Sequence, residues 1–202
     1  INHHVFTDVA LLQHNIEVVT GHIRKKLLAA GVSDIDRRVL RFIPTHSGKT
    51  YHETAEGDFW RLSVFIPRTQ SFAQVTPKNA YDAGLAFGNF ESMLTDVDET
   101  LGETIPDFHN MELRIRQLRE AVLADVAGRL TEVRPLVDLL ESHAEAMCRA
   151  EVLYREGRLP KRICHCDTKV NNMLFDEAGG VLCVIDLDTV MPSFIFSDYG
   201  DF

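Results

Sequence analysis

The sequence predicts an α+β fold, and three patterns along its 202 residues point to that class. In residues 8–30, apolar side chains recur at three- and four-residue steps, as on one face of an amphipathic helix. Residues 38–67 carry branched and aromatic residues between turn signals, which is typical of short strands. A long helical region and a final strand pair follow, so we expect helices combined with antiparallel strands.

The first two patterns define the beginning of the chain. Thr7 or Asp8 can cap the start of the first helix, and Gly31 ends it. The strand-like residues that follow form three runs separated by turns, which predicts a three-stranded antiparallel meander packed on the helix. These runs are Val39–Ile43, Lys49–Thr54 and Phe59–Ile66.

The second half of the chain is predicted to be mainly helical. Three amphipathic stretches are expected to be helices, at residues 81–94, 111–130 and 133–155. We therefore divide the chain into a helix-plus-strand part, a hinge or linker, and a helical part that ends in a strand pair. Their predicted bounds are 1–67, 68–80 and 81–202.

Composition narrows the function classes. The formal net charge is -9, with 30 acidic residues against 21 basic ones, and this balance argues against nucleic acid as a partner. No apolar run approaches the roughly 20 residues that cross a bilayer, and no signal-peptide pattern is present, so we expect a cytoplasmic protein without membrane contact. The four cysteines are too few and too clustered for a disulfide scaffold. The oligomeric state does not follow from the sequence.

One segment has the spacing H-x-D-x-x-x-x-N, formed by His165, Asp167 and Asn172. In phosphoryl transfer, such an aspartate accepts the hydrogen bond and then the proton of the attacking hydroxyl. An asparagine five residues later can turn its carbonyl oxygen toward Mg²⁺ on the phosphates. Lys169 could neutralise charge on the transferred group. The segment therefore predicts a catalytic loop.

A predicted hairpin strengthens this hypothesis. Strand 173–175, a turn and strand 181–185 would bring Asn172 and Asp186 to the same open end. If Phe175 pairs with Val181, Asn172 lies opposite Val184 and the two oxygen ligands share a face, which suits Mg²⁺. A slip of one residue would place them on opposite faces.

These residues carry a family resemblance. The stretches HCDTKVNNMLFD, CVIDLDTVMP and FSDYGDF resemble the motifs of the aminoglycoside phosphotransferase and choline kinase superfamily, and look most like the N-acetylhexosamine 1-kinases. The resemblance also includes Ala83 to Phe90 and Ile105 to His109. It implies a protein-kinase-like two-lobe fold, here with a partial N-terminal lobe and an incomplete helical C-terminal lobe. It also implies that ATP and Mg²⁺ take part in the reaction.

The resemblance assigns roles to residues of the loop and hairpin. Asp167 would be the catalytic base, Asn172 and Asp186 would hold Mg²⁺, and His165 would brace the loop. Asp198 or Asp201 would anchor the loop through its backbone amides. Three further residues are candidates for the acceptor site, namely His109, Arg114 and Asp188, the last also as a second metal contact. Glu17 is the candidate for the ion-pairing glutamate of the first helix.

The leading interpretation is transfer of the ATP γ-phosphate to the anomeric hydroxyl of an N-acetylhexosamine. One alternative keeps the kinase but changes the acceptor to an aminoglycoside, choline or another amino alcohol. A second alternative is a non-catalytic, degenerate kinase-fold binding module, because the glycine-rich loop and its lysine must either lie upstream of Ile1 or be absent. A zinc site at Cys164, His165 and Cys166 is a weaker alternative to a cluster of buried thiols.

Overall fold

The computed structural model describes all residues, 1–202, and confirms the α+β class. Five α-helices and six short strands alternate with 3₁₀ turns at residues 35–37, 170–172 and 187–189. The helices are α1 (Val9–Ala29), α2 (Pro77–Met93), α3 (Met111–Ala124), α4 (Leu130–Arg155) and α5 (Ile195–Asp201). The strands are β1 (His52–Glu53), β2 (Phe59–Trp60), β3 (Arg162–Cys164), β4 (Met173–Phe175), β5 (Val181–Val184) and β6 (Met191–Ser193).

Helix α1 agrees with its prediction to within one residue at each end. The Asp8 side chain accepts a hydrogen bond from the backbone N–H of Leu11 at 2.9 Å, so Asp8 is the N-cap. Gly31 follows the helix in the left-handed region, at φ 73°, where glycine is favoured. The apolar stripe of α1 is buried from Val9 to Ile23 and partly buried at Leu27, and most of it belongs to the main hydrophobic core.

The predicted three-stranded meander is only partly present, and its strands are much shorter than expected. β1 and β2 pair antiparallel over two residues each, and a single bridge joins Phe42 to Ser63. The large apolar side chains of the third run are exposed, among them Trp60, Leu62 and Phe65. Because this run has no fully packed face, little favours a longer ladder.

Helix α2 begins earlier than predicted, at Pro77, so the predicted linker of residues 68–80 loses its last residues to the helix. Thr76 and Asn79 form a reciprocal capping box, and Pro77 occupies the first helical position, where its missing N–H costs nothing. The buried face of α2 includes Ala83 and Phe87, which pack with Val170, Met173 and Phe175. Helix α2 therefore packs against the loop and the hairpin.

Two further antiparallel pairs frame the predicted catalytic loop. β4 pairs with β5 as a hairpin, and β3 pairs with β6 so that Cys164 lies opposite Met191. A bridge between Gln70 and Phe175 attaches the linker to the outer edge of β4. Residues 165–172 connect β3 to β4, so both ends of the loop are fixed by strands.

The chain forms two compact units, one made of residues 1–105 with 162–202 and the other of residues 106–161. The first contains the main core, the loop and the hairpin, and the second consists mainly of the packed pair α3 and α4. The predicted division at residues 67 and 80 concerns lobes rather than these units, and it stays a prediction.

None of the helices is both long and apolar enough to cross a membrane.

Candidate active site

The hairpin register differs from the simple expectation. Phe175 does pair with Val181, but a bulge between Leu174 and Phe175 shifts the remaining pairs by one residue. As a result, the carbonyl of Asn172 accepts a hydrogen bond from the N–H of Ile185 at 2.9 Å, where Val184 was predicted to lie opposite. A bulge inserts one extra residue into one strand, and pattern alone does not reveal it.

The backbone changes direction at Asp186, two residues after the end of β5. This residue has a φ of 58°, in the left-handed region. The alternation of side chains along the strand therefore stops before Asp186, and the strand register no longer decides on which face its carboxyl group lies. The charges of Asp167 and Lys169 both affect the pKa of Asp186. Joint binding of a metal by Asn172 and Asp186 stays a prediction.

Asp167 lies at the centre of a compact polar cluster. The Asn172 side-chain nitrogen donates to the Asp167 carboxylate and to its backbone carbonyl, both at 2.8 Å. The Lys169 ammonium donates to the same carboxylate oxygen at 2.6 Å. This contact raises the pKa of Lys169, so the lysine stays cationic. The loop spacing thus brings a carboxylate, an amide and an ammonium into direct contact.

The residues at the hairpin end fit a divalent cation. Burial, followed by the nearby charges of Asp188 and Asp167, raises the pKa of Asp186. Mutual repulsion among carboxylates is what a bound divalent cation relieves. Since Asn172 turns its amide nitrogen to Asp167, its oxygen is the atom left for a ligand role. Carboxylate and amide oxygens are the ligands that Mg²⁺ prefers.

Helix α5 anchors the loop from behind. The buried Asp198 carboxylate accepts hydrogen bonds from the N–H groups of His165 at 2.6 Å and Cys166 at 2.8 Å. Asp201 accepts one from the N–H of Thr168 at 2.8 Å. These are the backbone-amide contacts that the resemblance implies for one of the two aspartates, and the structure has both. They fix the loop backbone while leaving Asp167 free to act.

His165 is fully buried and contacts the chain on every side. Its Nε2 lies 2.9 Å from the carbonyl oxygen of Ile185, while the rings of Phe87 and Phe90 meet its ring edge-on. The Thr189 hydroxyl donates to the backbone carbonyl of His165. These contacts tie the loop to the end of β5, which is a bracing arrangement. A direct part for His165 in the chemistry stays a prediction.

Asp188 forms an ion pair with Arg61, and this partner was missed by the sequence analysis. Arg61 also donates to the side-chain oxygen of Gln13 on α1, at 2.9 Å. The Thr104 hydroxyl donates to the Asp188 carbonyl. Asp188 is therefore held from two directions, and its predicted contact with metal or acceptor stays a prediction. No pattern around Arg61 distinguishes it from an exposed strand residue.

Glu17, the candidate ion-pairing glutamate, accepts a hydrogen bond from the Thr50 hydroxyl. Gln13 donates to the same hydroxyl at 2.8 Å. Arg61 contacts both Gln13 and Asp188, so these bonds link α1 to Asp188, two residues after the predicted metal ligand Asp186. The middle of α1 thus carries a polar network in which Gln13 is buried and Glu17 is exposed, and an ion pair of Glu17 stays a prediction.

His109 and Arg114 belong to the second unit and have local contacts there. Arg114 donates to the Phe108 carbonyl at 2.7 Å and to the Gln117 side chain at 3.0 Å. The rings of His109 and Phe108 stack with their centroids 4.5 Å apart. Binding of an acceptor by these two residues stays a prediction.

The thiols near the loop are buried and neutral. Burial is the main cause that raises the pKa of Cys166 and of Cys183 to about 12, and it raises that of Cys164 further. Zinc binds thiolates, which these surroundings disfavour. The cysteines therefore act as small apolar core residues, as the main interpretation expected.

A second residue missed by the sequence analysis is Glu91 on α2, whose carboxyl group meets that of Asp198. It follows Phe87 by four residues and therefore lies on the buried face of the helix. An acidic residue within an apolar stripe was the signal that could have singled it out.

The chain matches the model of a known family. Residues 36–202 match the family model described as "Phosphotransferase enzyme family", which is more than half of the chain. The chain therefore belongs to the phosphotransferase enzyme family, as the loop and hairpin motifs predicted. The matched range includes the loop, the hairpin and both anchoring aspartates.

Two solved structures are similar to this chain. One is the AMP-bound complex of spectinomycin phosphotransferase APH(9)-Ia, with 14% identity, a TM-score of 0.44, and coverage of 90% of this chain and 58% of that one. The other is the ADP-bound aminoglycoside phosphotransferase APH(2'')-Ib, with 13% identity, a TM-score of 0.40, and coverage of 91% and 59%. This chain thus spans less than two thirds of the length of either protein.

Proposed function

We propose that this phosphotransferase transfers the γ-phosphate of ATP to the anomeric hydroxyl of an N-acetylhexosamine, with Asp167 as the catalytic base. The observation that carries the proposal is the placement of the Asp167 carboxylate, which contacts both Asn172 and Lys169 within 2.8 Å and whose charge contributes to the raised pKa of Asp186. A base, a cation and an oxygen-ligand site in one cluster are the parts that phosphoryl transfer requires.

Each residue has a role that follows from its contacts. Asp167 orients the acceptor hydroxyl and accepts its proton as the new P–O bond forms. Its orientation is fixed by the amide nitrogen of Asn172 at 2.8 Å. Asn172 and Asp186 would hold Mg²⁺, which when bound neutralises charge on the phosphates. Lys169 is cationic and, on a flexible stem, can shift from Asp167 toward the transferred group.

The acceptor is the finer part of the proposal. The loop and hairpin sequences, HCDTKVNNMLFD and CVIDLDTVMP, look most like those of the N-acetylhexosamine 1-kinases, and this resemblance supports an N-acetylhexosamine as the acceptor. The rival acceptors are an aminoglycoside, choline or another amino alcohol. Because these rivals are cations and the N-acetylhexosamines are neutral, a direct comparison separates them sharply.

The test measures ATP consumption by the full-length protein with Mg²⁺ and a panel of GlcNAc, GalNAc, kanamycin and choline. We expect the two amino sugars to give the highest turnover and ³¹P spectra to show an anomeric phosphate. Higher turnover with kanamycin or choline would contradict the proposed acceptor. Binding of ATP without turnover of any acceptor would favour the degenerate binding module.

The role of Asp167 is tested separately. Asp167→Asn keeps the shape but removes the base, so we expect kcat to fall by about 10²–10⁴-fold. Glu177→Gln is the matched control, since Glu177 is an exposed carboxylate in the turn of the same hairpin. An unchanged rate in Asp167→Asn would refute the catalytic assignment.

A further inference from the structure

The carboxyl groups of Glu91 and Asp198 lie close together behind the catalytic loop. Glu91 is near the C-terminal end of α2, and Asp198 is on α5. Ligand atoms of Glu91, Cys164 and Asp198 all lie within 4.8 Å of one another. The Oε1 atom of Glu91 is buried and finds no hydrogen-bond donor. Two carboxylates this close repel each other, which favours a proton on one of them.

The contacts decide which of the two groups carries that proton. Both oxygens of Asp198 accept hydrogen bonds from backbone N–H groups, at 2.6 Å from His165 and 2.8 Å from Cys166. Such bonds stabilise the charged carboxylate. Burial, and then the charge of Asp198, raise the pKa of Glu91 to about 7. Glu91 is therefore the partner that keeps its proton.

We infer that Glu91 is a positioning residue for the catalytic loop, donating a hydrogen bond from its protonated carboxyl group to Asp198 and so fixing the anchor of the loop amides. Asp198 then has a fixed orientation toward His165 and Cys166, two residues and one residue before the proposed base Asp167. The consequence for catalysis rests on the proposed function. The anchoring contact itself does not.

No other group that faces Glu91 can offset the negative charge that Glu91 would carry without its proton. Asp198 faces it from α5, and the Cys164 thiol faces it from β3. Burial keeps the thiols of Cys164 and Cys166 protonated, since it raises the pKa of both. Ionisation of Glu91 would therefore set a second negative charge against Asp198 among neutral neighbours.

The direction of the pH effect follows from the raised pKa. Glu91 moves from an ordinary value of 4.5 to about 7, so between these values the anchored state binds more protons than an opened state. The contribution of the Glu91 proton to the anchor is fully present below about pH 4.5. It decreases as the pH rises through about 7 and is lost at higher pH. Between pH 6 and pH 8.5, linkage predicts a roughly tenfold decrease in the equilibrium constant that favours the anchored state over the opened state.

The test measures amide hydrogen exchange of His165 and Cys166 in the full-length protein at pH 6 and pH 8.5, corrected for intrinsic exchange rates. Wild-type protection of the two amides is expected to fall roughly tenfold between these pH values. Glu91→Gln keeps a neutral donor, so its protection should change by less than about twofold. Glu120→Gln, an exposed glutamate on α3, should behave as the wild type does.

Two results would overturn the inference. One is equal protection of the wild-type amides at both pH values. The other is a decrease in protection between pH 6 and pH 8.5 that is as large in Glu91→Gln as in the wild type. Glu91→Leu, which fills the space without donating, should be poorly protected at both pH values, and wild-type protection at pH 6 would show that Glu91 only packs. Failure of the proposed function would abolish ATP turnover but leave these exchange results unchanged.

The wild type provides a measurement that does not depend on any variant folding. The side-chain carboxyl ¹³C resonance of Glu91 should titrate with a midpoint of about 7. A midpoint near the ordinary glutamate value of 4.5 would refute the shared proton.

Discussion

Residues 162–202 and residues 38–67 both consist of short strands and turns, yet different forces hold them in place. In 162–202, carboxylates from α5 accept hydrogen bonds from the backbone amides of three loop residues, and Met173 and Phe175 are fully buried. In 38–67, the strands are two residues long, while 65% of Trp60 and 83% of Phe65 is exposed.

The comparison shows which kind of contact fixes a site. A buried carboxylate that accepts backbone amides fixes both position and orientation, and it is costly to break. Apolar residues fix a segment only where another surface covers them, and in 38–67 much of that surface is open. The loop is therefore rigid through polar contacts even though its strands are only three or four residues long.

The largest effect is expected from removing the anchor itself. Asp198→Asn loses the charge that accepts two amides, and the buried amides lose charge-assisted bonds, so unfolding free energy should fall by about 2–4 kcal/mol. Urea unfolding followed by circular dichroism measures the change. Asp201→Asn, which affects one amide at an exposed site, should cost about 1 kcal/mol or less. Equal effects of the two substitutions would break the distinction between a buried and an exposed anchor.

An intermediate effect is expected where the two regions meet, at the ion pair between Arg61 and Asp188. Their side chains are 20% and 16% exposed, so water screens the pair only partly. A double-mutant cycle with Arg61→Met and Asp188→Asn should give a coupling free energy of about 1–2 kcal/mol. Arg134 and Asp138, an exposed pair on α4, provide the control cycle, with about 0.5 kcal/mol or less. A coupling no larger than that of the control pair would show that the two regions are independent at this point.

The smallest effect is expected on the open surface of residues 38–67. Trp60→Ser and Phe65→Ser remove side chains that contact mainly solvent, so each should change the unfolding free energy by less than about 0.5 kcal/mol. The same urea titration provides the measurement. A loss above about 1 kcal/mol for either substitution would show that this face is covered in solution.

Much of the fold and site followed from local pattern. The caps and stripe of α1 predicted its bounds to within one residue, and the loop spacing singled out Asp167, Lys169 and Asn172, which the structure places in direct contact. The strands of 38–67 were overestimated, because branched and aromatic residues indicate strands whether or not a partner surface exists. The start of α2 was predicted too late because the Thr76 capping box lies outside the apolar pattern.

The sequence by itself determined the phosphotransferase family, the α+β class and the identity of the loop residues, since these depend on residue types at short spacings along the chain. Only the tertiary structure decided the bulge before Phe175, the turn of the backbone at Asp186, and the partners Arg61 and Glu91. Asp188 lies 127 residues from Arg61, and contacts over such separations depend on how elements pack. The proton shared by Glu91 and Asp198 is of that kind, because burial and a neighbouring charge create it.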